Sequence, residues 1–183
     1  MNKKELRKII KLHQSALTAE YKQLAAVRIT EKVIASPQYR QAETVLLFLS
    51  MDSEPDTSGM LGAAFAAGKR VCVPKCCPGH VMKAIAIDSL DELKPQPPYG
   101  LLEPVSDAGE VRPDQVDLVI VPCMAASMDG RRLGHGAGYY DRFLAQTGAY
   151  KLCICFGALL SDEIPMDSFD MWMDAVVTEE SDV

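Results

Sequence analysis

The chain of 183 residues is short of aromatic side chains, with one tryptophan and 7% aromatics in all. It has three histidines in no metal-ligating spacing, and six cysteines with no C-x-x-C among them. A zinc centre needs two spaced Cys or His pairs, so these absences argue against one. Basic residues are also few, 19 against 25 acidic, for a net charge of −6. An acidic chain poor in aromatics is a poor nucleic-acid binder, although a local basic patch can still hold phosphate. No apolar run approaches the roughly 18 residues of a membrane span. The basic N-terminus, MNKKELRKIIKLHQS, has no unbroken apolar stretch and no small-residue cleavage site. The expectation is therefore a cytoplasmic chain without a signal peptide. Hydrophobic residues make up 48%, enough at this length for one packed core and too many for disorder. One domain over residues 1–183 is expected.

The cysteines read mainly as buried, reduced thiols. Most sit in apolar stretches such as VCVP (Cys72) and LCICF (Cys153, Cys155). Cys76 and Cys77 lie beside Lys75, which leaves a reactive thiolate there as the less favoured reading.

Apolar spacing predicts a first helix over 3–16, on Leu6, Ile9 and Ile10, with a basic opposite face. A second is predicted over 19–35, capped by Thr18, its stripe supplied mostly by Leu24, Val27, Ile29 and Ile34. Pro37 follows its end. The continuous apolar run 44–49 suits a strand buried on both faces. A helix over 58–67, capped by Asp56 or Thr57 and closed by Gly68, leads to strands over 70–74 and 81–87. Residues 94–104 are rich in proline and glycine and read as an ordered loop, because Tyr99, Leu101 and Leu102 call for burial. Strands return at 117–121, 152–156 and 175–178, with a helix near 138–146. Strands alternating with helices imply an α/β fold, with a mostly parallel sheet covered on both faces.

The densest chemical signal is DGRRLGHGAGYYDR, residues 129–142. Its glycines at 134, 136 and 138 let backbone N–H groups approach an anion, and the following helix adds its positive end. Arg131, Arg132 and Arg142 complete a candidate phosphate cradle. It is not a Walker A loop, since G-K-[ST] is absent, and its G-x-G-x-G spacing is not the dinucleotide fingerprint. A tight turn with solvated arginines is the alternative. Asp141 suits either a magnesium ion bridging phosphates or the first turn of a helix. Lys3, Lys4 and Arg7 read as a solvated helix face. Glu54 follows the first strand, where parallel sheets bind ligands, and is either a substrate acceptor or a loop acid. His135 is either a phosphate donor or a loop filler.

Taken in order, five segments resemble the 5-formyltetrahydrofolate cyclo-ligase family. They are Lys3-Lys4-Glu5-Leu6-Arg7; Glu54-Pro55-Asp56-Thr57; Gly68-Lys69-Arg70-Val71, before a strand ending in Pro74; Gly100-Leu101-Leu102-Glu103-Pro104; and Arg132-Leu133-Gly134-His135-Gly136-Ala137-Gly138-Tyr139-Tyr140-Asp141-Arg142. The match spans nearly the whole chain, and its last segment is highly specific. The resemblance implies a single three-layer α/β/α domain with an open, mostly parallel, Rossmann-like sheet. It implies an ATP- and magnesium-dependent ligase that cyclises 5-formyltetrahydrofolate to 5,10-methenyltetrahydrofolate, releasing ADP and phosphate. By position, Lys3, Lys4, Glu5, Leu6 and Arg7 would bind ATP, with Arg132, Leu133, Gly134, His135, Gly136, Ala137, Gly138, Tyr139 and Tyr140. Leu49, Glu54, Gly136 and Tyr139 would bind the folate, with Tyr139 or Tyr140 packing on its ring. Asp141 would hold magnesium, with Asp174 as second carboxylate. Arg7, Arg132 and Tyr139 would be catalytic. Implied partners are the folate and ATP, with no nucleic acid and no membrane, on a monomer. The chain departs from the family at 122–129, PCMAASMD, where a P-G-x-A-F-D pattern often supplies an aromatic. His135 stands where the family commonly has tyrosine or a basic residue.

Three other readings compete. A sugar-phosphate isomerase or acyl-CoA transferase would use the glycine loop for its substrate's own phosphate. A non-catalytic folate- or nucleotide-binding module would have no need of the metal carboxylate. An RNA-binding role would need the basic aromatic surface that the composition disfavours.

Overall fold

The computed structural model describes residues 1–97 and 100–181. Helix α1 (Lys3–Ala16) starts at Asn2 in a reciprocal capping box with Glu5, and buries Leu6, Ile10 and Gln14. Ile9, expected inside, is 40% exposed. Thr18 caps α2 (Ala19–Ala35) by accepting the Tyr21 N–H. The buried stripe of α2 is Ala25, Ala26, Ile29 and Val33. Leu24 and Val27 are more than half exposed, a correction to the expected stripe. The physical reason is close packing: α2 lies against α3 (Pro37–Gln41), α4 (Ser58–Ala66) and the last strand, and alanines permit that approach. Pro37 opens α3 at a first-turn position where its missing N–H costs nothing. Asp56, not Thr57, accepts the first free N–H of α4, from Ser58. The Thr57 hydroxyl donates instead to the Phe48 carbonyl.

The strands in chain order are β1 (Thr44–Leu46), β2 (Arg70–Cys77), β3 (Val81–Ala86), β4 (Leu93–Gln96), β5 (Leu101–Pro104), β6 (Glu110–Val111), β7 (Leu118–Val121), β8 (Ala125–Ala126), β9 (Arg132–Leu133), β10 (Tyr150–Ile154) and β11 (Ala175–Val177). Seven form the central sheet, in the order β11-β10-β7-β1-β2-β3-β6. The first five of that order run parallel, and β3 and β6 are antiparallel to their neighbours. This is the expected α/β architecture with a mostly parallel sheet. The central strands β1 and β7 are buried along their whole length, as continuous apolar runs require. Helix α5 (Tyr139–Leu144) packs near β3. Residues 94–104, expected as a loop, form most of the β4–β5 hairpin. Its prolines are tolerated because a two-stranded ribbon leaves edge positions free of ladder bonds. Leu101 is half-buried, Leu102 is 49% exposed, and Tyr99 lies outside the described residues. Among the described residues no helix is long and apolar enough to cross a membrane.

The topology positions the site. After β1 the chain continues to β2 on one side, and only later returns to lay β7 on the other. The connections leaving β1 and β7 therefore diverge, opening a crevice at the carboxyl ends of the strands.

Candidate active site

A cavity of about 810 Å³ occupies that crevice. Lys3, Arg7 and Arg132 make one part of its wall cationic. Phe48, Leu49, Met82 and Leu101 line it with apolar surface, among which Glu54 and Glu103 place two buried carboxylates. The glycine loop 134–138 also lines it, together with Tyr139 and Tyr140. Residues from α1, from the segment after β1 and from the 132–141 stretch thus meet in one place.

The α1 residues separate by helical phase. Lys3 and Arg7, one turn apart, face the cavity. The Arg7 Nε donates to the Gly134 carbonyl at 2.8 Å, pinning the loop to the helix. Lys3 is paired with Asp167 (2.7 Å) and Asp170. Burial opposes its charge, but the two carboxylates outweigh this and hold its pKa above the ordinary lysine value. Lys4 is exposed and outside the cavity wall, Glu5 serves the capping box, and Leu6 is core. The structure does not gather these three with the others, because helical spacing turns them away.

The glycine segment starts from a hairpin that sequence reading did not foresee: β8 and β9 intervene between β7 and the loop. Leu133 points into the core, fully buried. Arg132 turns its guanidinium to the cavity, donating to the Pro122 carbonyl (3.2 Å) and to Asp141 Oδ1 (2.8 Å). It also lies 5.9 Å from the Tyr140 ring centroid. Gly136 and Gly138 have φ of +107° and +73°, conformations that glycine adopts without strain. Of the three arginines expected to cradle phosphate, only Arg132 lines the cavity. Arg131 is tied to Asp129 at 2.8 Å, and the exposed Arg142 donates back to the Ala137 carbonyl. Two buried polar atoms of this wall, Arg132 Nε and the Tyr140 hydroxyl, have no hydrogen-bond partner among the described residues. Burial, with Glu54 adding to it, holds the Tyr140 hydroxyl far above the ordinary phenol pKa, so it remains a donor.

Glu54 is buried, accepting the Met51 N–H (2.9 Å) and sharing a 2.9 Å hydrogen bond with His135 Nε2. Asp141 lines the cavity, with Oδ1 engaged by Arg132 and by the Met171 N–H. Asp174 is elsewhere, where it accepts the Lys151 N–H and pairs with the Lys151 ammonium at 3.1 Å. The correction has a topological cause: Asp174 precedes β11, and parallel strands put their starts at the sheet end opposite to the cavity. Asp167 and Asp170 line the cavity instead. Cys76 also lines it, and its thiol is pushed up to about 12 by burial and by Glu103, which argues against a thiolate at Cys76.

A model of the 5-formyltetrahydrofolate cyclo-ligase family matches residues 1–179. The chain belongs to the 5-formyltetrahydrofolate cyclo-ligase family. Among its relatives within that family, the chain is 30% identical to a probable 5-formyltetrahydrofolate cyclo-ligase of Schizosaccharomyces pombe, covering 98% of this chain and 96% of that one. It is 31% identical to the 5-formyltetrahydrofolate cyclo-ligase of Mus musculus, over 98% and 94% of the two chains. The solved structure of Aquifex aeolicus 5,10-methenyltetrahydrofolate synthetase superposes with a TM-score of 0.87 at 27% identity, over 99% of this chain and 91% of that one.

Sequence reading of this cyclo-ligase family member missed several residues that line the cavity. Phe48 and Pro122 follow strands β1 and β7, so their places at the carboxyl ends of a parallel sheet were available as a signal, whereas Pro74 lies within β2, which runs on to Cys77. Met82, Asp167 and Asp170 carried none, since nothing local distinguishes them from ordinary strand and turn residues.

Proposed function

We propose that this chain catalyses the ATP-dependent cyclisation of 5-formyltetrahydrofolate to 5,10-methenyltetrahydrofolate, with release of ADP and phosphate. One observation carries the reading: a single cavity holds both a cationic, glycine-lined wall and an apolar wall with buried carboxylates. The first suits polyphosphate and the second suits a reduced pterin ring, whose faces are apolar and whose edge carries N–H donors.

A formamide carbon is a poor electrophile and its oxygen a poor leaving group. Transfer of the γ-phosphoryl group to the formyl oxygen breaks the bond to ADP and forms an iminium phosphate. N10 then attacks the activated carbon and loses its proton, and the former formyl oxygen departs within the phosphate. The protein's part is positioning and charge neutralisation. Lys3, Arg7 and Arg132 oppose the charge on the transferred group, while the loop 134–138 supplies close backbone N–H donors. The unpaired Arg132 Nε and Tyr140 hydroxyl supply further donors at the same wall. Glu54, steadied by His135, accepts from the pterin ring, and Leu49 and Tyr139 pack against it. Asp141 is the residue that would hold magnesium. Its Oδ2 has no hydrogen bond among the described residues, and one carboxylate with phosphate and water oxygens is a donor set that magnesium accepts. The metal would neutralise phosphate charge. We place the reaction in the cytoplasm, on a monomer folded as one domain.

The test is absorbance at the methenyl-folate band with purified protein, magnesium and 5-formyltetrahydrofolate, with and without ATP. A rise only with ATP is expected. No rise, from folded protein beside a working control, would overturn the assignment and direct attention to phosphorylated sugars and acyl-CoA.

A further inference from the structure

Glu103 takes no part in the phosphate machinery, yet it is among the most buried acids of the chain, at 5% exposure. It lies on β5, in the Gly100-Leu101-Leu102-Glu103-Pro104 segment, and lines the cavity beside Leu101 and Met82. Its Oε1 accepts the Cys76 backbone N–H at 3.1 Å. Among the described residues it has no ion pair; Lys94, its cross-strand partner in the β4–β5 hairpin, is exposed and forms none with it. A carboxylate so placed keeps its charge only at a large cost unless donors meet it. Two features identify the donors. The cations of the cavity, Lys3, Arg7 and Arg132, are engaged with Asp167, Asp170, Gly134 and Asp141. Leu101 and Met82 line the same cavity with apolar surface that suits a flat ring, while the carboxylate itself disfavours an anionic tail.

We propose that Glu103 is a second specificity-determining carboxylate, accepting a hydrogen bond from the N–H donors of the bound reduced pterin. This rests on the cyclo-ligase reading for the identity of the ring. With Glu54 it gives the ring two acidic contacts, so a pterin is held by its donors and not by its flat faces alone. A site built to meet donors rejects ligands that lack them, because its own buried acceptors are then unpaired.

The experiment is calorimetric binding of 5-formyltetrahydrofolate and, separately, of Mg-ATP to the wild-type chain and to Glu103→Gln, with thermal melts of both. Glutamine still accepts the Cys76 N–H, so a purely structural role predicts unchanged folate affinity in a folded variant. The expected result is a folate affinity about ten- to a hundredfold weaker, with ATP affinity and melting temperature unchanged. Equal folate affinity overturns the proposal, as does a loss of folate and ATP binding together with a lowered melt. If the wild-type chain binds the folate but forms no methenyl product with ATP, the weakened variant still supports Glu103 while the cyclo-ligase reading falls. If the wild-type chain does not bind the folate, both fall.

Discussion

Asp141 shows how much one carboxylate can be asked to do. One oxygen fixes Arg132 and the Met171 N–H, and the other is left for the cavity. Asp141→Asn keeps the shape but removes the charge that would hold a cation beside the phosphates. Turnover should fall by about a hundredfold or more, while the folate KM moves by no more than about threefold. Steady-state kinetics in both substrates decide this, and equal losses in turnover and folate affinity would remove the metal role. Gly136 carries a different burden, since its φ of +107° is a region side chains rarely enter. Gly136→Ala should cost about 1–3 kcal/mol and raise the ATP KM, because the loop must change shape. A melting curve and an ATP titration together test it; an unchanged ATP KM would show that the loop absorbs the side chain.

At the scale of elements, α2 offers the sharpest test of how packing chooses a helix face. Ile29 has no exposed surface and Leu24 is 57% exposed, although both are large aliphatics on one helix. Ile29→Ala should cost about 2–5 kcal/mol, and Leu24→Ala less than about 1 kcal/mol. Urea denaturation of the two variants measures the difference, and similar costs would contradict the packing described for α2. The cap at Thr18 was legible, and that of α4 was narrowed to Asp56 or Thr57, because a cap is a local bond between a side chain and an N–H a few residues on. The β4–β5 hairpin was not, since Pro95 and Pro104 mask a strand whose ladder needs only its other residues.

For the whole molecule, buried neutral acids set the alkaline limit. Burial pushes the Cys72 thiol up to about 11, and burial with Glu103 pushes Cys76 up to about 12. Tyr21 is raised to about 12 by burial and by its hydrogen bond to Glu179. In each case the folded state holds the proton more tightly than the unfolded chain. The stability so contributed is fully present below the ordinary thiol and phenol values, 9.0 and 10.0, and is lost as pH rises through the folded ones. The acid limit has the opposite sign. Asp107, held to about 2 by Lys75 and Lys83, and Asp129, held to about 2 by Arg131, lend stability above the ordinary 3.8 that is lost as pH falls toward 2. Those pairs are exposed, so their share is small. Urea midpoints should therefore drop steeply between about pH 9 and 11 and only mildly near pH 3, and a flat alkaline arm would contradict the burial of these groups.

By itself the sequence determined the α/β alternation, the cap of α2, the buried apolar runs at 44–49 and 117–121 that hold β1 and β7, and the glycine segment that leads into α5. These are settled by periodicity, turn chemistry and short spacing, all of which act between neighbours in the chain. Only the tertiary structure decided that Asp174 sits at the far end of the sheet while Asp167 and Asp170 reach the cavity. It also decided that Arg132 alone of three arginines faces that cavity, and that Glu103 joins Glu54 there. The crevice is assembled where the connections leaving β1 and β7 part, from segments as far apart as α1 and residue 170. Strand order determines which of them meet, and no local pattern encodes strand order.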